Sequence, residues 1–468
     1  MGSSTLVALI AAPLLGQSLR ISSGLSPYQV LQRDGSGSSS AQVSGSASGL
    51  DGQPVEFRTG RGNWQRAATV QNGQWTATVT LPVGGPYTVQ FRAGRAQVEV
   101  ASVLVGDIWM LAGQSNMQGV GNLIDVHPPD PRVHVLDMIE ERWQVAREPL
   151  HNLVGAVDRV HWRLNEQKQP ERLTGERLAQ FLQRQTKGAG LGLPFGAAYA
   201  RETGVPVGLL PCAHGGTSMD QWDPARWDRS SPGDSLYGSC MRRLAVAGGK
   251  LKGILWYQGE SDANPAAAPL FAARFEQLVA AFRRDTGEPN LPFYYVQLGR
   301  HVSTNNIESW NAIQLAQLAA ERTIPNTAMV AAVDTELDDA IHVSTTDLKR
   351  LGANLALLAA GKAAKGPRPV SAVLQESQIQ VTFEGSNGPL MSAGRVAGFT
   401  LHGPGGEPLA AIYKAVIDPV NAQRVVLHVQ GIVPDGATVR YGYGKDPYVN
   451  LRDARGFGVP VFTLPVTM

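Results

Sequence analysis

Four polar motifs follow apolar runs that the sequence predicts as strands. In chain order they hold Ser115, Gly215–Gly216, Gln258 with Glu260, and Asp339 with His342. Parallel strands end at one edge of their sheet and ligands bind outside that edge, so we expect these motifs to meet there. A hydroxyl, a glycine pair, an amide and an Asp–His pair are together the components of a serine hydrolase.

The predicted nucleophile is Ser115, whose hydroxyl attacks well only when a base takes its proton. His342 is the predicted base, because neutral imidazole accepts a proton at pH 7 and can return it to a leaving alkoxide. Asp339 would hold the other ring nitrogen of His342 and fix its tautomer. The spacing of three residues suits a turn that folds this carboxylate back onto the ring.

A tetrahedral oxyanion needs preorganised hydrogen-bond donors, and the motifs offer three kinds. The predicted donors are the Ser115 N–H, a backbone N–H in Gly215–Gly216, and the side-chain amide of Gln258. Glycine allows a close approach of the backbone to the substrate. The sequence has no Cys/His cluster with the spacing of a metal site.

Each motif alone has a more ordinary interpretation. A lone Ser115 would most often be a turn serine or a helix N-cap, and the glycine pair a tight turn. Gln258 and Glu260 could be solvated loop residues or members of a salt bridge, and the Asp–His pair a surface turn. Their conjunction at one predicted sheet edge favours the catalytic interpretation.

Further residues near these motifs are candidates for contacting a substrate. They are Glu260, Asp220, Trp222 and, from a more distant segment, His151. A lining that mixes polar and aromatic side chains is typical of sugar sites, although Trp256 fits a core position equally well. For His214, beside the glycine pair, we favour a packed loop histidine over a substrate contact.

The central region, residues 104–367, alternates apolar strands with amphipathic helical patterns, which favours a parallel sheet with helices on both faces. One helix has Phe271, Phe275 and Phe282 on one face, and another begins with a capping box at Ser344 and Asp347. The polar segment of about 122–190 fits this rhythm poorly, so we predict an insertion on the ligand-binding side.

The flanking regions, residues 21–103 and 368–468, have short runs rich in Val, Thr and aromatic residues between Gly-rich turns, which predicts β-sandwich-like domains. Residues 1–20 are a candidate signal peptide, since 5–15 is apolar and too short to span a bilayer. No Lys or Arg precedes this run, so a first strand or a cloning remnant remains an alternative. Secretion or a periplasmic location is slightly favoured.

Charge and cysteine content exclude some classes of protein. The 468 residues carry a formal net charge of +2, which gives no electrostatic case for binding nucleic acid. No later segment has the length and apolarity of a membrane span. Cys212 and Cys240 could form a disulfide, but two buried thiols are at least as plausible. The oligomeric state is not predicted.

The motifs also resemble a known family. GQSNM, GGTSMDQW, WYQGESD and DDAIH are similar to the conserved blocks of SGNH-type hydrolases, and more narrowly to sialate O-acetylesterases and the related acetylxylan esterases. VLQRDG and GGPYTVQF resemble the N-terminal part of sialate O-acetylesterases, and GATVRYGYGKDPYVNLRDARGFGVPVF resembles their C-terminal end. The resemblance implies a flavodoxin-like central domain and a deacetylation that uses Ser115, His342 and Asp339, with no metal or organic cofactor.

The resemblance is not complete. Gln258 stands where many SGNH enzymes have an asparagine. Many sialate O-acetylesterases have an acidic residue two positions before the histidine and a proline after it, where this chain has Ala340 and Val343. The acid is therefore Asp339. The second and third blocks look closer to the plant-like acetylxylan-esterase branch, so the acetylated sugar is left open.

The sequence thus predicts a serine esterase that removes O-acetyl groups from carbohydrate, most simply a sialate O-acetylesterase. An acetylxylan esterase, or another hemicellulose deacetylase, is the alternative within the same chemistry. A non-catalytic carbohydrate-binding protein is the alternative from another class. A general esterase or thioesterase acting on lipids would instead need an open apolar groove.

Overall fold

The structure, a computed structural model, describes residues 16–468. These residues form two compact units, 16–29 with 33–105, and 30–32 with 106–468. The apolar run at 5–15, on which the signal-peptide prediction depends, lies outside the described residues. Within 16–468, no helix is long and apolar enough to cross a bilayer.

The first unit is built from antiparallel strands. The strands up to Gly113 are β1 (Ser18–Ser23), β2 (Val30–Gln32), β3 (Ser38–Ser48), β4 (Pro54–Thr59), β5 (Gln65–Thr69), β6 (Gln74–Pro82), β7 (Gly84–Ala93) and β8 (Ala96–Gly113). One sheet has the order β1-β3-β6. In another, β4 pairs with β5 and β7, and β7 pairs with residues 96–105 of β8.

The two sheets of the first unit are amphipathic. Buried and exposed residues alternate along the whole of β6, as expected for a strand with one face in a core. Trp75 on β6 contacts Phe91 on β7, with ring centroids 5.1 Å apart. The short runs predicted for residues 21–103 thus include the strands β6 and β7, whose inward residues form a shared core.

The second unit contains the α/β region. Its strands are β9 (Gly121–Asn122), β10 (Val133–Leu136), β11 (Trp143–Val145), β12 (Arg163–Leu164), β13 (Pro170–Glu171), β14 (Lys187–Ala189), β15 (Val207–Pro211), β16 (Gly253–Tyr257), β17 (Phe293–Gln297) and β18 (Thr327–Ala331). Its helices are α1 (Ser115–Gln118), α2 (Gly175–Arg184), α3 (Gly192–Thr203), α4 (Leu236–Val246), α5 (Phe271–Thr286), α6 (Ile307–Thr323) and α7 (Thr345–Ala359).

The central sheet has the order β11-β10-β15-β8-β16-β17-β18, and all of its neighbouring pairs except β10–β11 are parallel. Every residue of β15, β16 and β18 is buried, so both faces of the sheet are covered, as predicted. The order β15-β8-β16-β17-β18 is that of a flavodoxin-like fold. After β15 the chain crosses to the other side of β8, so the order in which strands are added reverses there. Flavodoxin-like folds bind ligands at such a reversal.

The predicted helices are confirmed at their caps and apolar faces. The Ser344 hydroxyl accepts the Asp347 N–H at 3.2 Å, which caps α7 as the sequence predicts. On α5, Phe271, Phe275 and Phe282 are buried. The helix α5 thus packs the face that its spacing indicated, and α7 begins at its predicted cap.

The segment 122–190, which the sequence predicts as an insertion, also contributes a strand to the central sheet. Val133–Leu136 forms β10, which pairs in parallel with β15 and extends the central sheet. The prediction missed this strand because it is only four residues long and lies between Pro-rich and polar stretches. The same segment also contributes buried polar residues, among them His134 and Asp137.

The C-terminal residues form an antiparallel β region within the second unit. Its strands are β19 (Arg368–Gln375), β20 (Gln378–Glu384), β21 (Leu390–Ser392), β22 (Phe399–His402), β23 (Pro408–Leu409), β24 (Ile412–Ile417), β25 (Arg424–Val429), β26 (Thr438–Tyr441), β27 (Leu451–Asp453) and β28 (Phe462–Thr467). Eight of them make one sheet, with the order β23-β22-β26-β28-β19-β20-β25-β24. Its core includes Val333, which follows β18, so this region packs directly on the α/β layer.

The two cysteines are free thiols, and both are buried. Cys212 follows β15 and Cys240 lies in α4. The disulfide alternative is therefore not realised in this structure.

Candidate active site

Ser115 lies directly after the central strand β8. Gly113 ends the strand with φ +133°, and a Cβ there would lie 2.2 Å from the Tyr257 carbonyl oxygen of β16, so only glycine fits. The Gln114 N–H then donates to the same carbonyl at 2.8 Å. The chain turns sharply here, and Ser115 begins the short helix α1 at the carboxyl edge of the sheet.

Asp339 and His342 make the contact that their spacing predicts. Both carboxylate oxygens of Asp339 lie 2.9 Å from Nδ1 of His342. One of them also accepts the backbone N–H groups of Ile341 and His342, at 3.1 and 3.0 Å. The turn therefore holds Nδ1 of the ring on the acid and leaves Nε2 as the nitrogen that can take a proton.

Lys187 is a residue of this site that the sequence did not reveal. Its ammonium group pairs with Oδ2 of Asp339. Burial alone would raise the pKa of Asp339, but hydrogen bonds from Lys187, His342 and the Ile341 backbone outweigh it and lower the pKa. Asp339 is therefore ionised at neutral pH. Lys187 lies in β14, within the segment taken for an insertion, and no motif marks it.

Asn116 links the nucleophile loop to the histidine loop. Its side-chain oxygen accepts the Val343 N–H at 3.0 Å, and its amide nitrogen donates to Oε1 of Glu260 at 2.8 Å. The amide also reaches the Ile341 carbonyl oxygen at 3.5 Å. This buried side chain, which follows Ser115 directly, thereby holds the backbone on both sides of His342.

Gln114 and Glu260 belong to the same network. With its amide oriented to suit its neighbours, Gln114 donates to the Thr217 carbonyl oxygen and to Oε2 of Glu260, each at 3.2 Å. Burial raises the pKa of Glu260 to about 7, although the Asn116 hydrogen bond opposes this shift. The two residues flanking Ser115, to which the sequence gave no role, thus brace the loops around it.

Two of the predicted oxyanion donors are otherwise engaged. The Gly215 N–H donates to Oε1 of Gln118 at 2.8 Å. Gln258 is fully buried, and its amide nitrogen donates to the Thr217 carbonyl oxygen at 3.1 Å and to the Asp262 carboxylate. Both amide hydrogens of Gln258 are used, so the prediction of Gln258 as an open donor is wrong for this structure.

The remaining predicted donors are open. Among residues 16–468, the backbone N–H groups of Ser115 and Gly216 have no hydrogen-bond acceptor. Gly215 still lies against the nucleophile, since a Cβ on it would be 3.3 Å from the Ser115 Cβ. The geometry therefore supports the backbone N–H groups of Ser115 and Gly216 as oxyanion donors, with Gly215 as the glycine that allows the close approach.

Two of the predicted substrate contacts are core residues. Trp222 is fully buried, donates from its indole N–H to the Thr217 hydroxyl at 3.0 Å, and packs edge-on against Trp256 at 5.0 Å. His151 is also buried, which lowers its pKa to about 3. A side chain without solvent access does not touch a substrate, so both predictions are wrong. Trp256 is a core residue as well.

The other two candidates remain accessible. The Asp220 side chain is exposed and pairs with Arg226. Glu260 is partly exposed, in the network of Gln114 and Asn116. Among residues 16–468, no group of three His, Cys, Asp or Glu side chains lies close enough to hold a metal ion.

Comparison with known proteins gives a family and several relatives. A family model described as "Carbohydrate esterase, sialic acid-specific acetylesterase" matches residues 105–360. A probable carbohydrate esterase from Arabidopsis thaliana is 28% identical, over 53% of this chain and 88% of that protein. The sialate O-acetylesterase of Homo sapiens is 24% identical, over 54% of this chain and 52% of that protein.

The chain thus spans about half the length of the human protein that it matches. Among solved structures, a carbohydrate acetylesterase from Xanthomonas citri matches 95% of this chain and 99% of its own, with a TM-score of 0.64 and 21% identity. At that identity the likeness shows a shared fold, which extends over both flanking β regions.

Proposed function

The chain belongs to the carbohydrate esterase family of sialic acid-specific acetylesterases, and we propose that it hydrolyses the O-acetyl ester of an acetylated sugar by way of an acetyl-enzyme on Ser115. The contact between Asp339 and His342, on a loop that Asn116 ties to the Ser115 turn, is the observation that carries this proposal. The hydrogen bond from the Val343 N–H to Asn116 supports an oriented imidazole near the end of the strand that presents the hydroxyl.

In the first step, Oγ of Ser115 attacks the acetyl carbonyl carbon while Nε2 of His342 takes the hydroxyl proton. The carbonyl oxygen becomes an oxyanion, for which the Ser115 and Gly216 N–H groups are the open donors. Collapse of this intermediate breaks the bond to the sugar oxygen, which leaves with the proton from His342. Asp339 stabilises the imidazolium formed on the way.

In the second step, water attacks the acetyl-enzyme and gives its proton to Nε2 of His342. The same donors hold the second oxyanion. Its collapse releases acetate and returns the proton to Oγ of Ser115. The ionised state of Asp339, which Lys187 helps to maintain, lets His342 act twice in each cycle.

The substrate most in keeping with the family is an O-acetylated sialic acid, with acetylated xylan as the alternative. We also propose that the antiparallel regions 21–103 and 368–468 are β-sandwich-like domains flanking an esterase domain of residues 104–367. Secretion stays a prediction, since residues 1–15 are not described.

The proposal is tested by replacing Ser115 with Ala and measuring acetate release from O-acetylated sialic acid, acetylated xylan and 4-nitrophenyl acetate. We expect turnover to fall by at least about 10⁴-fold, because the remaining site can bind but not form the acyl bond. Ser377→Ala, in an exposed turn of the C-terminal region, is the matched control. Full turnover in Ser115→Ala would refute the nucleophile, and sugar binding without acetate release by the wild-type chain would favour the non-catalytic alternative.

A further inference from the structure

A chain of polar side chains leads from the active site into the interior. Nδ1 of His214 lies 3.1 Å from Nδ1 of His161, and Nε2 of His161 lies 3.2 Å from the Ser239 hydroxyl. That hydroxyl donates to Oδ2 of Asp158 at 2.7 Å, and Asp158 is paired with Arg242. Apart from His214, the histidine, serine and aspartate of this relay are all at least nine-tenths buried.

The direction of every hydrogen bond in the relay follows from its buried end. The Asp158 carboxylate can only accept, so the Ser239 hydroxyl donates to it, and the Ser239 oxygen is left to accept from Nε2–H of His161. A neutral imidazole has one N–H, so Nδ1 of His161 is an acceptor. The proton between the two histidines therefore sits on Nδ1 of His214.

Both histidines stay neutral in this setting. Burial lowers the pKa of His161 well below its usual value, and the neighbouring His214, Arg243 and Arg242 lower it further. Burial also lowers the pKa of His214. His214 consequently presents an unprotonated Nε2, which is a good hydrogen-bond acceptor and a weak base.

His214 belongs to the loop that borders the predicted nucleophile. The His214 N–H donates to the Gly113 carbonyl oxygen at 3.0 Å, and the next residue, Gly215, packs against Ser115. The His214 ring is partly exposed, and within residues 16–468 its Nε2 has no hydrogen-bond partner. His214, the residue before the glycine that packs against Ser115, thus has a ring nitrogen that no described residue occupies.

We propose that His214 is a substrate-binding residue, whose Nε2 accepts a hydrogen bond from a free hydroxyl of the sugar that carries the acetyl group. His161, Ser239 and Asp158 act as positioning residues that set the His214 tautomer. The inference rests on the proposed function, because it needs a sugar ester in the site. It replaces the sequence-based preference for His214 as a packed loop histidine.

Two substitutions of His214 distinguish the role of its Nδ1 from the role of its Nε2. In His214→Gln the side-chain amide reaches the position of Nε2 and can supply an oxygen acceptor there. In His214→Asn the amide reaches only the position of Nδ1, so the contact with His161 can remain while the outward acceptor is lost. His428→Asn, on strand β25 of the C-terminal sheet, is the control.

The assay compares KM and kcat for a sugar acetate with those for 4-nitrophenyl acetate, which carries no hydroxyl. The sugar acetate is whichever of O-acetylated sialic acid and O-acetylated xylose the wild-type chain hydrolyses better. We expect His214→Asn to raise KM for the sugar ester, and this increase should exceed any increase for 4-nitrophenyl acetate roughly tenfold. A factor of this size corresponds to the loss of one hydrogen bond. His214→Gln should lose less, and His428→Asn should leave the ratio of the two esters unchanged.

The tautomer is measured independently of activity, from ¹⁵N NMR shifts of His214 in the wild-type chain. We expect the proton on Nδ1, and a mixture of tautomers in Ser239→Ala, where the relay is interrupted. A proton found on Nε2 in the wild type, or an unchanged ester ratio in His214→Asn, would overturn the inference while leaving the esterase intact. A wild-type chain that hydrolyses neither sugar ester would instead overturn the proposed function, and the substrate contact with it.

Discussion

Asn116 holds Val343 by a hydrogen bond of 3.0 Å that joins positions 227 residues apart in the chain. One of these residues follows the predicted nucleophile and the other follows the predicted base. A displacement of either loop by about 1 Å would misplace the proton transfer, and misplacements of that size can cost about 10²-fold in rate. The amide of Asn116 thus joins the loop of the predicted nucleophile to the loop of the predicted base.

Replacing Asn116 with Ala should therefore impair kcat more than KM. The variant loses the hydrogen bonds to Val343 and Glu260 and leaves a buried backbone N–H without an acceptor. We expect kcat to fall roughly 10²-fold, and the free energy of unfolding to fall by about 1–3 kcal/mol. Steady-state kinetics on an acetate ester and urea denaturation measure the two effects.

Asn290→Ala is the matched control, because Asn290 is exposed and remote from the site in sequence. It should change neither quantity appreciably. A stable Asn116→Ala variant with the wild-type kcat would show that the two loops keep their positions without this amide, and would contradict its positioning role.

Glu260 should make the stability of the chain depend on pH. Its pKa of about 7 lies above the value near 4.3 of a carboxyl group in an unfolded chain. Between about pH 4.5 and 7 the folded state therefore holds the Glu260 proton more often than the unfolded state does. The contribution of this group to the free energy of unfolding is present below that range and is lost as the pH rises through it.

Glu260→Gln cannot ionise, so it should escape this loss. The free energy of unfolding of the variant, minus that of the wild type, should become more positive from pH 4.5 to 7, by at most about 1.4 kcal/mol per pH unit. Urea denaturation of both proteins at pH 5 and pH 7.5 gives this difference, in which the other titrating groups cancel. Equal differences at the two pH values would show that the environment of Glu260 does not favour the protonated form.

The sequence predicts the strands that present the site because they are long apolar runs with glycines at their ends. Gly113 is an example, because its φ of +133° and its contact with Tyr257 allow no other residue. The glycine therefore indicates the turn before Ser115. The Asp339–His342 contact is likewise local, since it closes within three residues. Features decided by neighbours in sequence could thus be predicted.

The failures concern features that long-range packing decides. From the sequence, Trp222 in its polar loop could belong to a sugar site or to the core. Its edge-on packing against Trp256 shows that it belongs to the core. Gln258 has the chemistry of an oxyanion donor, but Asp262 and Thr217 occupy its amide. Lys187 reaches Asp339 across 152 residues without any local pattern.

The relay behind His214 is a further example of such a feature. Its members come from three separate segments, and neither the type nor the spacing of His161, Ser239 and Asp158 marks them as partners. Two of them lie in the segment that the sequence predicts as an insertion. A buried polar network of this kind is specified by complementarity between distant groups, each of which is costly to bury without its partner.

Trp222 gives the sharpest contrast between the sequence-based interpretation and the structure. Removal of a tryptophan that stacks on sugar would raise KM and leave the free energy of unfolding unchanged. Removal of a buried tryptophan would lower the free energy of unfolding and leave KM largely unchanged. Because Trp222 packs against Trp256 and donates to the Thr217 hydroxyl, we expect Trp222→Ala to lower the free energy of unfolding by about 3–5 kcal/mol. Trp222→Phe keeps most of the ring and loses the N–H, so it should cost about 1–3 kcal/mol. Urea denaturation and KM for the sugar ester, measured on the Phe variant, separate the two cases: a large rise in KM with unchanged stability would place Trp222 in contact with substrate after all.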